Sequence, residues 1–307
     1  MQVVTGCAGF IGSNLTDTLI NQGFEVLGID NLHTGSMDNI STLKSNKNFV
    51  FTKANSGEIE KIIKVNSKDV ETIFHNGIYS SSPMYKENPL LVSRAMEDFI
   101  SILEFIRKKD CKLVFASSSS LYNGLQPPHK EDMHILVTDF YTEARMTMER
   151  LAELYHKIYG IKIIALRYFS VYGPKEKSKG RYANLISQFL WAMMKNEQPL
   201  LYGDGMQTRD FVYVDDVVQA NLAAMKFNGK FEVFNVGTGK SESLKNLIEL
   251  LNEKLRKKIE PKYIDNKIKN YVQHTLAETK KSKKMLGFEA RISLEEGIDK
   301  LIEYYRT

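Results

Sequence analysis

The run Val3-Val4-Thr5-Gly6-Cys7-Ala8-Gly9-Phe10-Ile11-Gly12 passes from a short apolar strand into three glycines at three-residue spacing. Residues 13–22 then carry a helical pattern closed by Gly23, and residues 25–29 read as a second strand ending at Asp30. A glycine turn between strand and helix leaves backbone N–H groups free at the helix start, where an anion is stabilised. Further strands are expected at 49–52, 72–75, 112–116 and 161–166, with long helices at about 89–109 and 141–159. Alternating strands and helices with short connections imply parallel pairing and right-handed crossovers. The fold class that follows is α/β: a doubly wound parallel sheet of the Rossmann type, with its ligand at the carboxyl ends of the strands. After Gly173-Pro174 the texture changes. Helices at 182–195, 243–255, 278–286 and 293–305, with short strands at 211–214 and 232–235, read as a second, smaller α/β domain over 173–307, packed on the domain 1–172. Segments at about 210–240 are expected to pack back on the first domain.

The chain has 307 residues, 43% apolar and 26% charged. Those values lie near the globular average and set aside disorder, collagen and coiled coil. Cys7 and Cys111 cannot build a disulfide framework, so a reducing cytoplasm is the expected compartment. No window reaches the roughly 18 apolar residues of a membrane span, and strand-like residues from Gln2 onward leave no room for a leader peptide. Charge is nearly balanced, with 42 basic against 37 acidic residues. Eleven basic residues fall between Lys254 and Lys284 against three acids, with Tyr263 and Tyr271 the aromatics among them. A nucleic-acid face interleaves more aromatics than that. The stretch reads as solvated surface, and neither a nucleic-acid nor a membrane partner is expected.

Asp30 stands about 20 residues beyond the glycine turn. A carboxylate there accepts from a ribose 2′-hydroxyl and repels a 2′-phosphate, which points to NAD rather than NADP. Tyr141 and Arg145 lie four apart and so share a helical face. Ser117 to Ser120 closes the fifth strand, at the sheet end where a nicotinamide belongs. A phenol ordinarily ionises near pH 10, so taking a proton from a sugar hydroxyl at neutral pH needs about 4 kcal/mol of help. A fixed cation one helical turn away and a positive nicotinamide can supply it in a low-dielectric cleft, with a serine hydroxyl as proton relay.

Seven stretches carry a wider resemblance: TGCAGFIGSN (5–14), DNL (30–32), the run 75–89, FASSSSLY (115–122), LRYFSVYGP (166–174), YGDGMQTRDFVYVDD (202–216) and FNVGTGKS (234–241). On these the chain resembles the NAD-dependent epimerase/dehydratase family of extended short-chain dehydrogenases, over nearly its whole length. The resemblance implies that residues 1–172 bind NAD and residues 173–307 bind a nucleotide sugar. It implies epimerisation of a UDP-sugar or related NDP-sugar at C4: a C4 hydride passes to NAD, the 4-keto sugar turns, and the hydride returns to the other face. The catalytic residues it implies are Ser118, Tyr141 and Arg145. Cofactor contacts are implied for Gly6, Gly9, Phe10, Ile11, Gly12, Asp30, Asn31, Asn55, Gly77, Tyr141, Arg145 and Tyr168. Substrate contacts are implied for Ser81, Ser118, Ser170, the pair Asn184-Leu185, Tyr202 on the nucleobase, Arg209 on the diphosphate, and Thr275 at the sugar pocket. No metal is implied, and a homodimer through the long helices near 90–109 and 141–159 is.

The chain also departs from the family pattern. Arg145 replaces the lysine of Tyr-x-x-x-Lys. Ala95 stands for a usual asparagine, Ala54-Asn55 for the acid that commonly meets adenine, and Ser170 for another asparagine. Ile268, between Lys267 and Lys269, stands for a second diphosphate arginine. Ser118-Ser119-Ser120 occupies the place of the Thr-Asp-Glu of dehydratases, which leaves no acid–base pair for eliminating water. Two other readings stay open: a sugar-nucleotide-binding protein with weak or no turnover, and another NDP-sugar enzyme such as a heptose 6-epimerase or a reductase.

Overall fold

The computed structural model describes residues 1–66, 69–267 and 270–306; Ile268 and Lys269 lie outside the described residues. The first strands are β1 (Gln2–Thr5), β2 (Val26–Asp30), β3 (Phe49–Lys53), β4 (Thr72–His75), β5 (Lys112–Ser118) and β6 (Ile163–Tyr168). Between them run α1 (Phe10–Asn21), α2 (Ile59–Asn66), α3 (Ser82–Glu87), α4 (Leu91–Lys109) and α5 (Phe140–Tyr159). The later strands are β7 (Ser170–Tyr172), β8 (Leu200–Tyr202), β9 (Thr208–Arg209), β10 (Phe211–Tyr213), β11 (Phe231–Val236), β12 (Glu242–Ser243) and β13 (Lys262–Ile264). With them come α6 (Leu185–Met194), α7 (Val214–Lys226), α8 (Leu244–Leu255) and α9 (Leu294–Arg306).

β1, β2, β4 and β6 are buried at every position, the pattern of strands covered on both faces. They lie in a seven-stranded sheet ordered β11-β6-β5-β4-β1-β2-β3, with every pair parallel. Adjacent residues of one strand serve opposite faces. Val4, Phe74 and Val114 pack with Leu15 and Leu19 of α1 and Val217 and Leu222 of α7. Val3, Ile73 and Leu113 pack with Ile63 of α2, Phe99 and Ile102 of α4, and Met148 and Ala152 of α5. β11 comes from the second half of the chain and takes the sheet edge beside β6. The smaller lobe buries α6, α8 and α9 against one another, around Ile186, Leu247 and Leu301.

Several elements differ from the sequence expectation. The strand expected at 211–214 stops at Tyr213, and Val214 opens α7, an unexpected helix whose first turn carries Asp215 and Asp216 at its positive end. The helix expected from 182 begins at Leu185, because the Asn184 side chain accepts the Ile186 N–H and caps it there. The helix expected at 278–286 shrinks to a wide turn at Ser282–Leu286: Ala277 forms a bridge with His129, which holds this segment extended. Residues 59–66, not expected to be regular, form α2.

Much of the basic stretch is structurally engaged. Lys254 pairs with Asp299 and Lys281 with Glu232, while Lys257 donates to the carbonyls of Met193 and Met194 at the end of α6.

A buried ion pair ties α5 to β6. Arg167 Nη2 and Nε donate to Glu149 at 2.7 and 3.0 Å, with both side chains under 6% exposed. Glu149 also accepts the Ser117 hydroxyl at 2.5 Å, and Arg167 donates to Tyr122 Oη at 2.7 Å. Removing one partner leaves an uncompensated buried charge, which costs about 3–5 kcal/mol. Arg167→Met is therefore expected to lower the unfolding free energy by about that much in a denaturant titration, with the added change Glu149→Gln recovering part of the loss.

Candidate active site

A cleft of about 350 Å³ opens at the carboxyl ends of β1, β2, β4, β5 and β6. Its floor is the glycine turn. Gly6 has φ +70°, and a Cβ there would lie 2.7 Å from the Asn76 carbonyl carbon and the Gly77 nitrogen. A Cβ on Gly12 would overlap the Gly6 carbonyl oxygen. Only glycine lets the start of α1 come this close to β1. Gly9 caps α1 without a side-chain bond, and the first turn carries no acid, so its N–H groups face the cleft uncompensated. Asp30 sits beside them. Its Oδ2 accepts the Ala8 N–H at 2.9 Å and its Oδ1 the Leu32 N–H at 2.7 Å. Burial raises its pKa, and the backbone bonds oppose that rise. A turn without side chains, a free helix start and a fixed carboxylate fit a dinucleotide: diphosphate on the turn, ribose hydroxyls on Asp30.

Phe10, Ile11, Asn31, Gly77 and Tyr168 line the same cleft. Tyr168 Oη accepts the Asn221 amide at 2.9 Å, and burial raises its pKa. Asn55 does not line it; it is exposed, and its side-chain oxygen accepts Asn31 Nδ2 at 3.0 Å.

Ser118, Tyr141 and Arg145 line the cleft towards β5 and α5. Ser118 Oγ accepts the Ser120 N–H at 3.1 Å where β5 ends. Tyr141 lies in the first turn of α5, whose start is fixed by the Asp139–Thr142 capping box. Arg145 is buried one turn on, its guanidinium carbon 5.0 Å from the Tyr141 ring centre. Its Nη2 donates to the Tyr79 carbonyl at 2.8 Å, and Nη1 touches Met148 Sδ at 3.8 Å. The fork thus uses one arm on backbone and keeps its charge over the Tyr141 ring.

Of the residues expected on the sugar side, Ser170 and Asn184 line the cleft, whereas Ser81, Leu185, Tyr202, Arg209 and Thr275 do not. Arg209 donates to three carbonyls, those of Thr208 (2.9 Å), Val272 (2.6 Å) and Gln273 (3.1 Å). It also lies 5.5 Å from the Tyr271 ring, which stands 6.0 Å from Tyr202. Thr275 Oγ1 accepts the Asp210 N–H at 3.0 Å. Cleft residues that sequence reasoning passed over include His33, Ser56, Tyr79, Asp98, Lys179 and Tyr182. Of these, Tyr79 lies in the run 75–89 that carries the resemblance, while Asp98, inside the helical stretch 89–109, carries no signal of its own.

His75, at the end of β4, is buried, with Nδ1 2.7 Å from Thr5 Oγ1. Burial, and then the Arg145 charge, lower its pKa from 6.5 to about 3. The folded protein keeps His75 neutral, while the unfolded chain takes up a proton below pH 6.5. Its contribution is therefore intact above pH 6.5 and is lost as pH falls towards about 3, by up to about 1.4 kcal/mol per pH unit. Urea titrations across that range are expected to show a shallower loss for His75→Gln than for the unaltered protein.

Fold and cleft together define a dinucleotide-binding protein of the doubly wound α/β class. The family model for the NAD dependent epimerase/dehydratase family matches residues 2–237, and the chain belongs to that family. A Methanocaldococcus jannaschii protein, provisionally named UDP-glucose 4-epimerase, is 37% identical over 100% of this chain and 99% of its own length. The solved UDP-glucose 4-epimerase of Thermotoga maritima with UDP-glucose superposes with a TM-score of 0.92 at 32% identity, over 100% of this chain and 99% of that one. UDP-N-acetylglucosamine 4-epimerase of Methanobrevibacter ruminantium M1, in complex with UDP-N-acetylmuramic acid, gives 0.92 at 30% identity, over 99% and 97%. The chain is an epimerase-type enzyme with NAD as its cofactor. Among the described residues, no helix is long and apolar enough to cross a membrane.

Proposed function

We propose that the chain epimerises a UDP-sugar of the glucose/galactose type, N-acetylated forms included, at C4 through a transient 4-keto sugar. What supports this reading is that one cleft is lined by the glycine turn, Asp30, Ser118, Tyr141 and Arg145 together. Tyr141, as phenolate, takes the proton of the 4-hydroxyl, with the Ser118 hydroxyl relaying it between sugar and phenol, and gives it back when the hydride returns. Arg145 holds a permanent positive charge over the phenol and fixes the carbonyl of Tyr79. When bound, NAD accepts and then returns the C4 hydride. Ser170 and Asn184 receive the sugar, and Arg209 clamps the diphosphate by exchanging its carbonyl partners for phosphate oxygens, with Tyr202 under the base. Among the described cleft residues the carboxylates are Asp30 and Asp98. Both lie on the adenosine side, so Ser118–Ser120 has no acid beside it for eliminating water.

We assign cofactor binding to residues 1–172, with 210–240 packed back on them, and the nucleotide sugar to 173–307. The two buried, free cysteines suit the cytoplasm. A homodimer would cover Leu154, Ile158 and Tyr159 of α5 and Ile100 of α4, apolar side chains that the monomer exposes. Sedimentation velocity is expected to give the mass of two chains, and Leu154→Glu a shift towards one.

The decisive assay incubates the protein with NAD and UDP-glucose, UDP-galactose or their N-acetyl forms. Interconversion of at least one pair is expected, with kcat falling about 10²- to 10⁴-fold in Tyr141→Phe. Conversion of none would defeat the reading. Arg145→Lys loses the Tyr79 bond and is expected to lower turnover; a large gain would instead favour a binding protein with an impaired site.

A further inference from the structure

The adenosine end of the cleft holds a carboxylate that the reaction leaves unused. After β3 the chain runs through Asn55, Ser56 and Gly57. Asn55 turns to solvent, where its side-chain oxygen accepts from Asn31. Ser56 is buried and lines the cleft. Asp98 of α4 lines it beside Ser56, its Oδ1 accepting the Gly57 N–H at 3.0 Å. A Cβ on Gly57 would lie 2.5 Å from that oxygen, so glycine is what allows helix and loop to meet here. The two cleft carboxylates thus stand at neighbouring strand ends, Asp30 closing β2 and Asp98 against the loop after β3. Asp30 faces the glycine turn and has both oxygens on backbone N–H groups there. Asp98 lies beyond it, past the end of β3, where a base attached to the Asp30-bound ribose has to reach.

We propose that Asp98 recognises the 6-amino group of the cofactor's adenine and makes the site selective for adenine over a 6-oxo purine. Along its pairing edge adenine offers that amino group as its one hydrogen-bond donor. An ionised carboxylate only accepts, with about four acceptor positions, so the bond to Gly57 leaves capacity for the base. Burial raises the Asp98 pKa, the mark of a carboxylate drawn in from water, while the Gly57 bond opposes the rise. A 6-oxo purine sets a carbonyl oxygen against the same carboxylate, two acceptors facing each other, and is rejected.

The inference rests on NAD as the cofactor and not on the C4 reaction, so failure to convert any sugar leaves its test intact. The test measures Kd for NAD and for its deamino analogue, with hypoxanthine in place of adenine, on protein freed of cofactor and shown by circular dichroism to be folded. The unaltered protein is expected to favour NAD by about tenfold or more. Asp98→Asn keeps an oxygen for the Gly57 N–H and turns an NH₂ towards the base, so it is expected to abolish or invert that preference. Equal affinities in the unaltered protein would overturn the proposal, whether or not the variant folds. So would an Asp98→Asn protein that binds both dinucleotides more weakly by the same factor.

Discussion

The carbonyl of Gly6 leaves no room for a side chain at residue 12. That single steric fact brings the start of α1 against the end of β1 and against Asn76–Gly77 after β4. It sets where free N–H groups point, and therefore where a diphosphate can lie. Asp30, at the end of the next strand, lies beside that place, and the cleft continues from there over the ends of β5 and β6. Ser118 and Tyr141 line the same cleft, and one Cβ in the turn would push α1 away from β1 and reshape the floor they share.

Behind the reacting groups lies a polar core that is fully paired. Ser117, next to Ser118, donates to Glu149; Glu149 holds Arg167; Arg167 reaches Tyr122, and Tyr122 donates to Asn235 on β11. Glu149 lies one turn beyond Arg145 on α5. The network thus locks the helix that carries Tyr141 to the strand that carries Ser118, through groups buried from water. Such pairs add little net stability over apolar packing, but they admit few alternative arrangements. Geometry, more than energy, is what this core supplies to the site.

How much of this could be read in the chain follows from range. The glycine turn, Asp30 and the strand-ending serines were legible because their signals are local: spacing, a turn and a terminus. Tyr141 and Arg145 were legible as a pair, since i,i+4 fixes a shared face. The Tyr79 carbonyl that receives Arg145 was not, because any residue can supply a carbonyl. Helix α7 was hidden by its own apolar start, which continues the β10 pattern through Val214, although Asp215 and Asp216 marked a helix beginning. Asp98 was not legible within the helical stretch 89–109; only the fold brings that turn of α4 against Gly57. The partners of Arg209 are carbonyls more than 60 residues away for Val272 and Gln273, which no spacing foretells.

The carbonyl bonds of Arg209 have a consequence for any anion that approaches it. A guanidinium already shared among three carbonyls is a site with an internal competitor. An incoming anion is rewarded only by the difference between its own bonds and those it displaces. Singly bridged, strongly hydrated ions such as sulfate or free phosphate gain little from that exchange, whereas an anion tethered to a base and a sugar brings enough additional contacts to complete it. In the role proposed for it on a diphosphate, the arginine would act as a threshold, passing over abundant small anions without any steric filter.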